Sequence, residues 1–534
     1  MFFNILYSRK VVYFILLVTS SILCWNNNLE TFFTTFISSV LLAKILFCSS
    51  SRVVRTICIP VLILFSIAST ISYLNYGNLT TSMVMASVGV SMHMVIGTIK
   101  ALGGGGYIIF LTLLAYIIIT IIVLHTPRAK YSNKNKVVIT ILLIISLIIP
   151  LANGARDWGW RFYFNNIKYA PSFISQSYLD NYKIFFGYIF SVVSIYVENY
   201  QNEYLYKKVN HKMLPSYLST NHDKKQKNII YVIGESSNPG RYSIYQYNYN
   251  TTPHLYNYME ENEFCVIKKV HSPAAQTRLA VPMLMSLQTP DDRDALFYEP
   301  NLVEIAKMQG YKTYWLDTQT QFNLWDKTFG FISQYADILV SPDRHNVNKT
   351  IKTDNDEALL ALVKYYISSP NISGNNFFVI HLIGQHLPYN SFITNNSLKD
   401  KYDKSVYSTD YMLNEIKKLA DKYLRDYILI YLSDHGEVVG RGHGYTTSYN
   451  EMYKIPLLIT QSKYCNEIEK FRYNKGYINS NMIKYIILNM MGVSVSKDKI
   501  QNEINRSNII LNSQEQKVNF NKLIDIPMPY EKIN

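Results

Sequence analysis

At 534 residues the chain is longer than one hydrophobic core usually serves, so at least two domains are expected. A net charge of +14 raises nucleic acid as a partner, but Lys and Arg are scattered without a basic stripe, which argues against nucleic-acid binding. Cys24, Cys48 and Cys58 lie in or beside apolar runs, so Cys265 and Cys465 leave room for one disulfide and exclude a disulfide framework.

Residues 1–155 read as a membrane domain. Five apolar runs, Val11–Trp25, Phe32–Phe47, Ile57–Leu74, Tyr107–Leu124 and Val137–Leu151, are long enough to span or nearly span a bilayer. The first follows Arg9 and Lys10 but lacks a small-x-small cleavage site, so it reads as an uncleaved helix. Arg9/Lys10, Arg52/Arg55 and Arg128/Lys130/Lys134/Lys136 fall in alternate loops, whereas the intervening loops carry only Lys100. The positive-inside rule then places the N-terminus in the cytoplasm and everything after the fifth helix outside. Leu79–Ile99 is uncharged, but counting it as a sixth span would break that alternation. It reads as a helix lying at the outer interface, with Gly103–Gly106 bending the chain into the fourth span.

Residues 156–226 are a Tyr- and Asn-rich connector. Its apolar stretch Ile184–Val197 is too short to span and is flanked by tyrosines. It reads equally as a helix on the membrane surface and as a plain docking helix.

Residues 227–534 alternate strand-like and helical patterns. Asn228–Ile233, Phe264–Ile267, Tyr311–Leu316, Phe377–Ile380, Tyr427–Tyr431 and Pro456–Ile459 read as buried strands, and Asp356–Ser368 and Tyr407–Tyr423 as helices. That alternation implies an α/β domain with a mostly parallel central sheet, whose ligands sit outside the carboxyl ends of the strands. The residues at those ends are Glu235, Thr277, Asp317, His386 and Asp434-His435. Asp317 alone is more often a helix cap, and His381, inside a strand, more often a packed core histidine. Ser433-Asp434-His435-Gly436-Glu437, with His443 close behind, is a different matter. Oxygen and nitrogen donors crowd a turn where Gly436 permits close backbone approach, which points to a divalent metal such as zinc.

These motifs together resemble one family. Val232-Ile233-Gly234-Glu235-Ser236, Asn250-Thr251-Thr252-Pro253, Thr277 with Val281-Pro282-Met283, Gly384-Gln385-His386-Leu387-Pro388 and Ser433–Glu437 are similar to the membrane-bound periplasmic phosphoethanolamine transferases of the alkaline phosphatase and sulfatase superfamily. The resemblance implies an alkaline phosphatase-like soluble domain behind five membrane helices. It implies Thr277 as nucleophile, with Glu235, Thr277, Asp434 and His435 around one or two zinc ions. His386 and His443 would hold the phosphoryl group or a second zinc, and Asp317 would join the substrate site. Arg278 reads equally as a phosphate clamp and as the partner of a surface acid.

The implied reaction moves phosphoethanolamine from phosphatidylethanolamine through Thr277 to an envelope glycolipid of the lipopolysaccharide type, at lipid A or a core sugar. The implied location is the bacterial inner membrane, multi-pass, with the catalytic domain in the periplasm. The turn Ser272–Arg278 lacks the cysteine usual in lipid A-modifying members, which tilts the acceptor towards core sugars or other glycans. The alternatives are a phosphoglycerol transferase of the lipoteichoic-acid-synthase type and a non-catalytic membrane scaffold.

Overall fold

The computed structural model describes residues 29–48, a few positions between 80 and 117, then 132–158, 170–181, 185–221 and 225–526 apart from short internal stretches (322–324, 345–354, 371, 394, 425, 445–448 and 474–475). The predicted spans Val11–Trp25 and Ile57–Leu74 and the glycine bend Gly103–Gly106 lie outside the described residues, as do most of Tyr107–Leu124 and Leu79–Ile99. The chain divides into two units, Met1–Tyr204 and Leu205–Asn534, so the break falls inside the predicted connector.

In the first unit, α1 (Leu29–Cys48) and α2 (Asn133–Trp158) contain the second and fifth predicted spans. Among the described residues one helix, Asn133–Arg156, is long and apolar enough to cross a membrane, so the count of five spans stays an expectation. Helices α3 (Ala170–Asn181) and α4 (Phe185–Asn202) pack on each other, and α3 also packs on α1 and α2. The Tyr178 ring of α3 packs tilted against Phe190, centroids 4.7 Å apart, and its hydroxyl donates to the Leu147 carbonyl at 3.1 Å. Ser191 and Ile195 of α4 are buried, while Val193, Tyr196, Val197 and Tyr200 are exposed on its other side. Docking therefore uses one face of α4 and leaves an apolar, aromatic face outward.

The second unit is built on eight strands: β1 (Asn228–Gly234), β2 (Phe264–His271), β3 (Tyr311–Asp317), β4 (Ile338–Val340), β5 (Asn375–His381), β6 (Tyr427–Ser433), β7 (Lys454–Thr460) and β8 (Ile478–Asn479). Their order is β4–β3–β5–β1–β6–β7–β2–β8. Every pairing is parallel except those of β7, the predicted strand at Pro456–Ile459, which runs antiparallel to both β6 and β2. The sheet is mixed, with a parallel body.

The central strands are continuous apolar runs because both faces are covered. Ile229, Tyr231 and Ile233 point into one buried cluster with α5 (Thr277–Met285) and α8 (Ile483–Met490). Ile230 and Val232 point into another with α6 (Asp356–Ile367) and α7 (Lys401–Tyr423). Helix α7 begins six residues before the predicted Tyr407 because the Asp400 carboxylate caps it, accepting the N–H groups of Tyr402 and Asp403. Cys265 of β2 and Cys465 form a disulfide with Cα atoms 6.3 Å apart.

Candidate active site

Parallel register assembles the site. Gly234 pairs with Ser433, and His381 pairs with both Ile233 and Asp317, so β3, β5, β1 and β6 end side by side at one edge of the sheet. Glu235 and Asp434 therefore emerge next to each other although they are about two hundred positions apart in sequence. After β1 the chain turns sharply through Ser236, at φ +56°, a conformation rare for a residue with a side chain. Tyr402 of α7 pins that turn, donating to the Ser236 carbonyl and accepting the Asn238 N–H, each at 2.7 Å.

Thr277 arrives from the other side, in the first turn of α5, the positive end of the helix dipole. Its hydroxyl donates to Glu235 Oε2 at 2.9 Å and lies 3.3 Å from His435 Nε2. That same nitrogen is 3.1 Å from Glu235 Oε1 and 3.4 Å from Asp434 Oδ2. Three oxygens from three separate segments thus surround one imidazole nitrogen, and Glu235, Asp434 and His435 are fully buried. Glu235, His435 and His443 can also each offer a ligand atom within 4.8 Å of the others. The His435 and His443 rings lie 4.1 Å apart, whereas His386 is 6.5 Å from His443.

The electrostatics are those of a site built for a cation. Asp434 Oδ1 accepts the His435 N–H at 2.7 Å, but Asp434 Oδ2 is buried with no hydrogen bond and only the ionic neighbour His435 Nε2 at 3.4 Å. A buried carboxylate oxygen left bare is destabilising unless something positive meets it. Burial and then the neighbouring Glu235 push the Asp434 carboxyl up to about 7. Burial opposes charge on His435, but Asp434 and Glu235 outweigh it and raise the imidazole to about 10. Burial likewise opposes charge on Glu235, and His435 outweighs it, holding that carboxyl well below its usual range. A proton on Asp434 removes one negative charge from the cluster, and protonated His435, helped by His386 and His443, offsets that of Glu235. A divalent cation would displace the protons on Asp434 and His435, so Glu235, Thr277, Asp434 and His435 fit a metal with mixed oxygen and nitrogen ligands.

The other sequence-derived residues sit around this cluster in different roles. His443 Nδ1 donates to Glu437 Oε2 at 2.8 Å, and Tyr389 donates to Glu437 Oε1 at 2.9 Å. His386 Nδ1 donates to the Leu387 carbonyl at 2.7 Å. The Arg278 guanidinium pairs with Glu515 and lies 4.7 Å over the Trp325 ring. Asp317 stands back. Its Oδ2 meets His381 Nδ1 at 3.1 Å and the Trp315 indole N–H at 3.0 Å, and its Oδ1 accepts the Gln319 N–H at 2.7 Å.

Sequence reasoning missed Gln319, whose amide donates to Glu235 Oε2 at 2.9 Å and touches His381 Nε2 at 3.3 Å. No motif marks a lone glutamine. Its role follows only from β3 ending beside β5.

Two further outcomes follow from this geometry. A Cβ on Gly436 would fall 2.2 Å from the Glu451 carbonyl oxygen and 2.4 Å from that of Lys454. Gly436→Ala should therefore displace the turn carrying Asp434 and His435 and destabilise the domain by about 2–3 kcal/mol, read as a fall in Tm. Glu515 supplies a pH dependence. Burial pushes its carboxyl up, but Arg278 and Arg293 outweigh it and hold it at about 2, below the ordinary 4.5. A lowered carboxyl stabilises the fold above pH 4.5 and loses that contribution as pH falls towards 2. It is on the order of 3 kcal/mol at neutral pH. Glu515→Gln should flatten the acid limb of stability against pH measured by denaturant unfolding.

A family model described as sulfatase matches residues 227–493, half of the chain. Among curated proteins the chain is similar to phosphoethanolamine transferase EptA of Helicobacter pylori, 25% identical over 287 residues that cover 49% of this chain and 52% of that one. It is similar also to phosphoethanolamine transferase EptC of Escherichia coli, 22% identical over 263 residues, covering 44% and 45%. The aligned region spans about half the length of these relatives. Among solved structures, the integral membrane protein lipooligosaccharide phosphoethanolamine transferase A of Neisseria meningitidis shares the fold over 93% of this chain and 95% of its own, with a TM-score of 0.56 at 17% identity. Glu235, Thr277, Asp434 and His435 all fall inside the matched region, and the chain belongs to the sulfatase family.

Proposed function

We propose that this protein is a zinc-dependent phosphoethanolamine transferase of the bacterial inner membrane, with its catalytic unit in the periplasm. The observation that carries the reading is the convergence of Glu235, Thr277 and Asp434 oxygens within 3.1–3.4 Å of His435 Nε2. The named relatives and the alternation of basic loops between the apolar runs support the substrate class and the orientation.

Thr277 is the nucleophile. Its hydroxyl already donates to Glu235 Oε2, and the first turn of α5 favours the developing oxyanion. Threonine oxygen attacks the phosphorus of phosphatidylethanolamine, the bond from phosphorus to the diacylglycerol oxygen breaks, and that oxygen takes up a proton. An acceptor hydroxyl or phosphate of a lipopolysaccharide-type glycolipid, at lipid A or a core sugar, then attacks the phosphothreonine and releases Thr277. When bound among Glu235, Thr277, Asp434 and His435, zinc would supply Lewis acidity that lowers the hydroxyl pKa and offsets phosphoryl charge. His443, oriented by Glu437, and His386, oriented by the Leu387 carbonyl, each keep Nε2 available for the phosphoryl or leaving-group oxygens.

The test is the mass of the Thr277 peptide after the purified protein is incubated with phosphatidylethanolamine or phosphatidylglycerol. An adduct of one phosphoethanolamine is expected. A phosphoglycerol adduct would reassign the protein to the lipoteichoic-acid-synthase type of reaction, and no adduct from either lipid would overturn the proposal.

A further inference from the structure

A part of the chain beyond the family match lies against the nucleophile's turn. Ile509–Leu511 and Lys517–Asn519 form a two-stranded antiparallel ribbon. Asn512 organises its turn, its side-chain oxygen accepting the N–H groups of Gln514 at 2.9 Å and Gln516 at 2.8 Å. Three kinds of contact then run to the segment around Thr277. The Leu511 N–H donates to the Pro273 carbonyl at 2.8 Å. The Leu511 side chain closes a buried apolar cluster with Ala274, Leu279, Ala280 and Met283, which lie on both sides of Thr277. Glu515 bridges Arg278 and Arg293, the latter at 2.7 Å.

The same C-terminal stretch also backs the other half of the site. The Asn450 N–H donates to the Ile524 carbonyl at 3.0 Å, and the neighbouring Met452 carbonyl accepts the Gly436 N–H at 2.9 Å. Backbone, apolar and ionic contacts thus converge on the turn that carries Thr277, and a backbone relay through Asn450 and Met452 reaches Gly436 beside Asp434-His435.

We infer that the ribbon Ile509–Asn519 is a positioning strap for the active site, with Leu511 and Glu515 the residues through which it holds the nucleophile. Leu511 fixes the backbone on either side of Thr277. Glu515 holds the guanidinium next to the nucleophile, so that this charge cannot swing onto the threonine oxygen or the phosphoryl group. Without the strap the hydroxyl would wander from Glu235 and His435, and small misplacements of a reacting atom lower rate steeply. This inference rests on the reading of Thr277 as nucleophile.

The experiment uses full-length protein carrying Glu515→Ala, Glu515→Asp or Leu511→Ala, assayed where circular dichroism finds each variant fully folded. Glu515→Ala should lower kcat about 10–100-fold, with KM for phosphatidylethanolamine within about twofold and zinc content unchanged. Glu515→Asp should recover part of that rate, and Leu511→Ala should move kcat in the same direction as Glu515→Ala. Amide exchange should quicken in the peptide spanning residues 273–285 and stay unchanged in β6. An unaltered kcat for Glu515→Ala, or exchange that rises equally in both peptides, would overturn the strap. The exchange measurement needs no substrate, so a wild type that fails to transfer refutes the proposed function alone. A wild type that transfers, with local exchange unmoved in the variants, refutes the strap alone.

Discussion

Thr277→Ala should abolish phosphoethanolamine transfer, lowering the rate by about 10⁴-fold or more, because among the described residues no other hydroxyl is hydrogen-bonded to both Glu235 and His435. Thr277 Oγ1 is the atom shared between Glu235 and His435, at 2.9 and 3.3 Å. Ser236, the nearest alternative hydroxyl, is turned onto Glu235 Oε1 at 2.8 Å and sits on the pinned turn after β1. The variant should keep its fold, since the side chain removed is small and lies at the first turn of α5. It should also keep most of its zinc, because Glu235, Asp434 and His435 remain. Thr277→Ser should restore transfer to within about tenfold, since it keeps the hydroxyl and loses only a methyl that limits its rotamers. Quantifying transferred lipid together with metal content separates the two roles of this residue. Full activity in Thr277→Ala would move the nucleophile elsewhere.

Asp434→Asn should act on activity and stability with opposite signs. The amide keeps Oδ1 for the His435 N–H but replaces Oδ2, which has no hydrogen bond, with a nitrogen that cannot ligate a cation. Zinc should be lost on dialysis and transfer should fall about 10³-fold or more. In the metal-stripped protein the same change should stabilise. The Asp434 carboxyl is raised to about 7 by burial and by Glu235. A raised carboxyl is most favourable to the fold below its unfolded value near 4 and becomes a growing penalty as pH climbs through 7. Above that pH the stripped variant should be the more stable of the two in denaturant unfolding, by less than the Asp434 shift alone implies, because Asp434 also holds a proton on His435. Equal stability of the two stripped proteins at alkaline pH would mean that Asp434 is already neutralised from within the chain. The case for a cation site would then fail.

The strands that carry the site were legible because central parallel strands are uninterrupted apolar runs, and the acids and histidines stand where those runs stop. β1, β3, β5 and β6 all match the predicted runs at their cores. The direction of β7 was not legible, because Pro456–Ile459 is buried on both faces and its pattern is the same whichever way it runs. The start of α7 was missed because its first turns are polar, and the cap at Asp400 stands in a run of charges without contrast.

The amino-acid sequence by itself determined the two-part chain, the α/β order of the second part and the chemical types gathered in Ser433–Glu437, since each is written in local periodicity or in neighbouring residues. Only the tertiary structure decided which distant donors share one point. It set Glu235 beside Asp434 through the register of β1 against β6, and it brought in Gln319. It also paired Arg278 with Glu515, more than two hundred residues away. The physical reason is that a side chain's chemistry travels with its residue, whereas its charge balance and reach depend on neighbours supplied by remote segments, and those are set only when the sheet closes in one register.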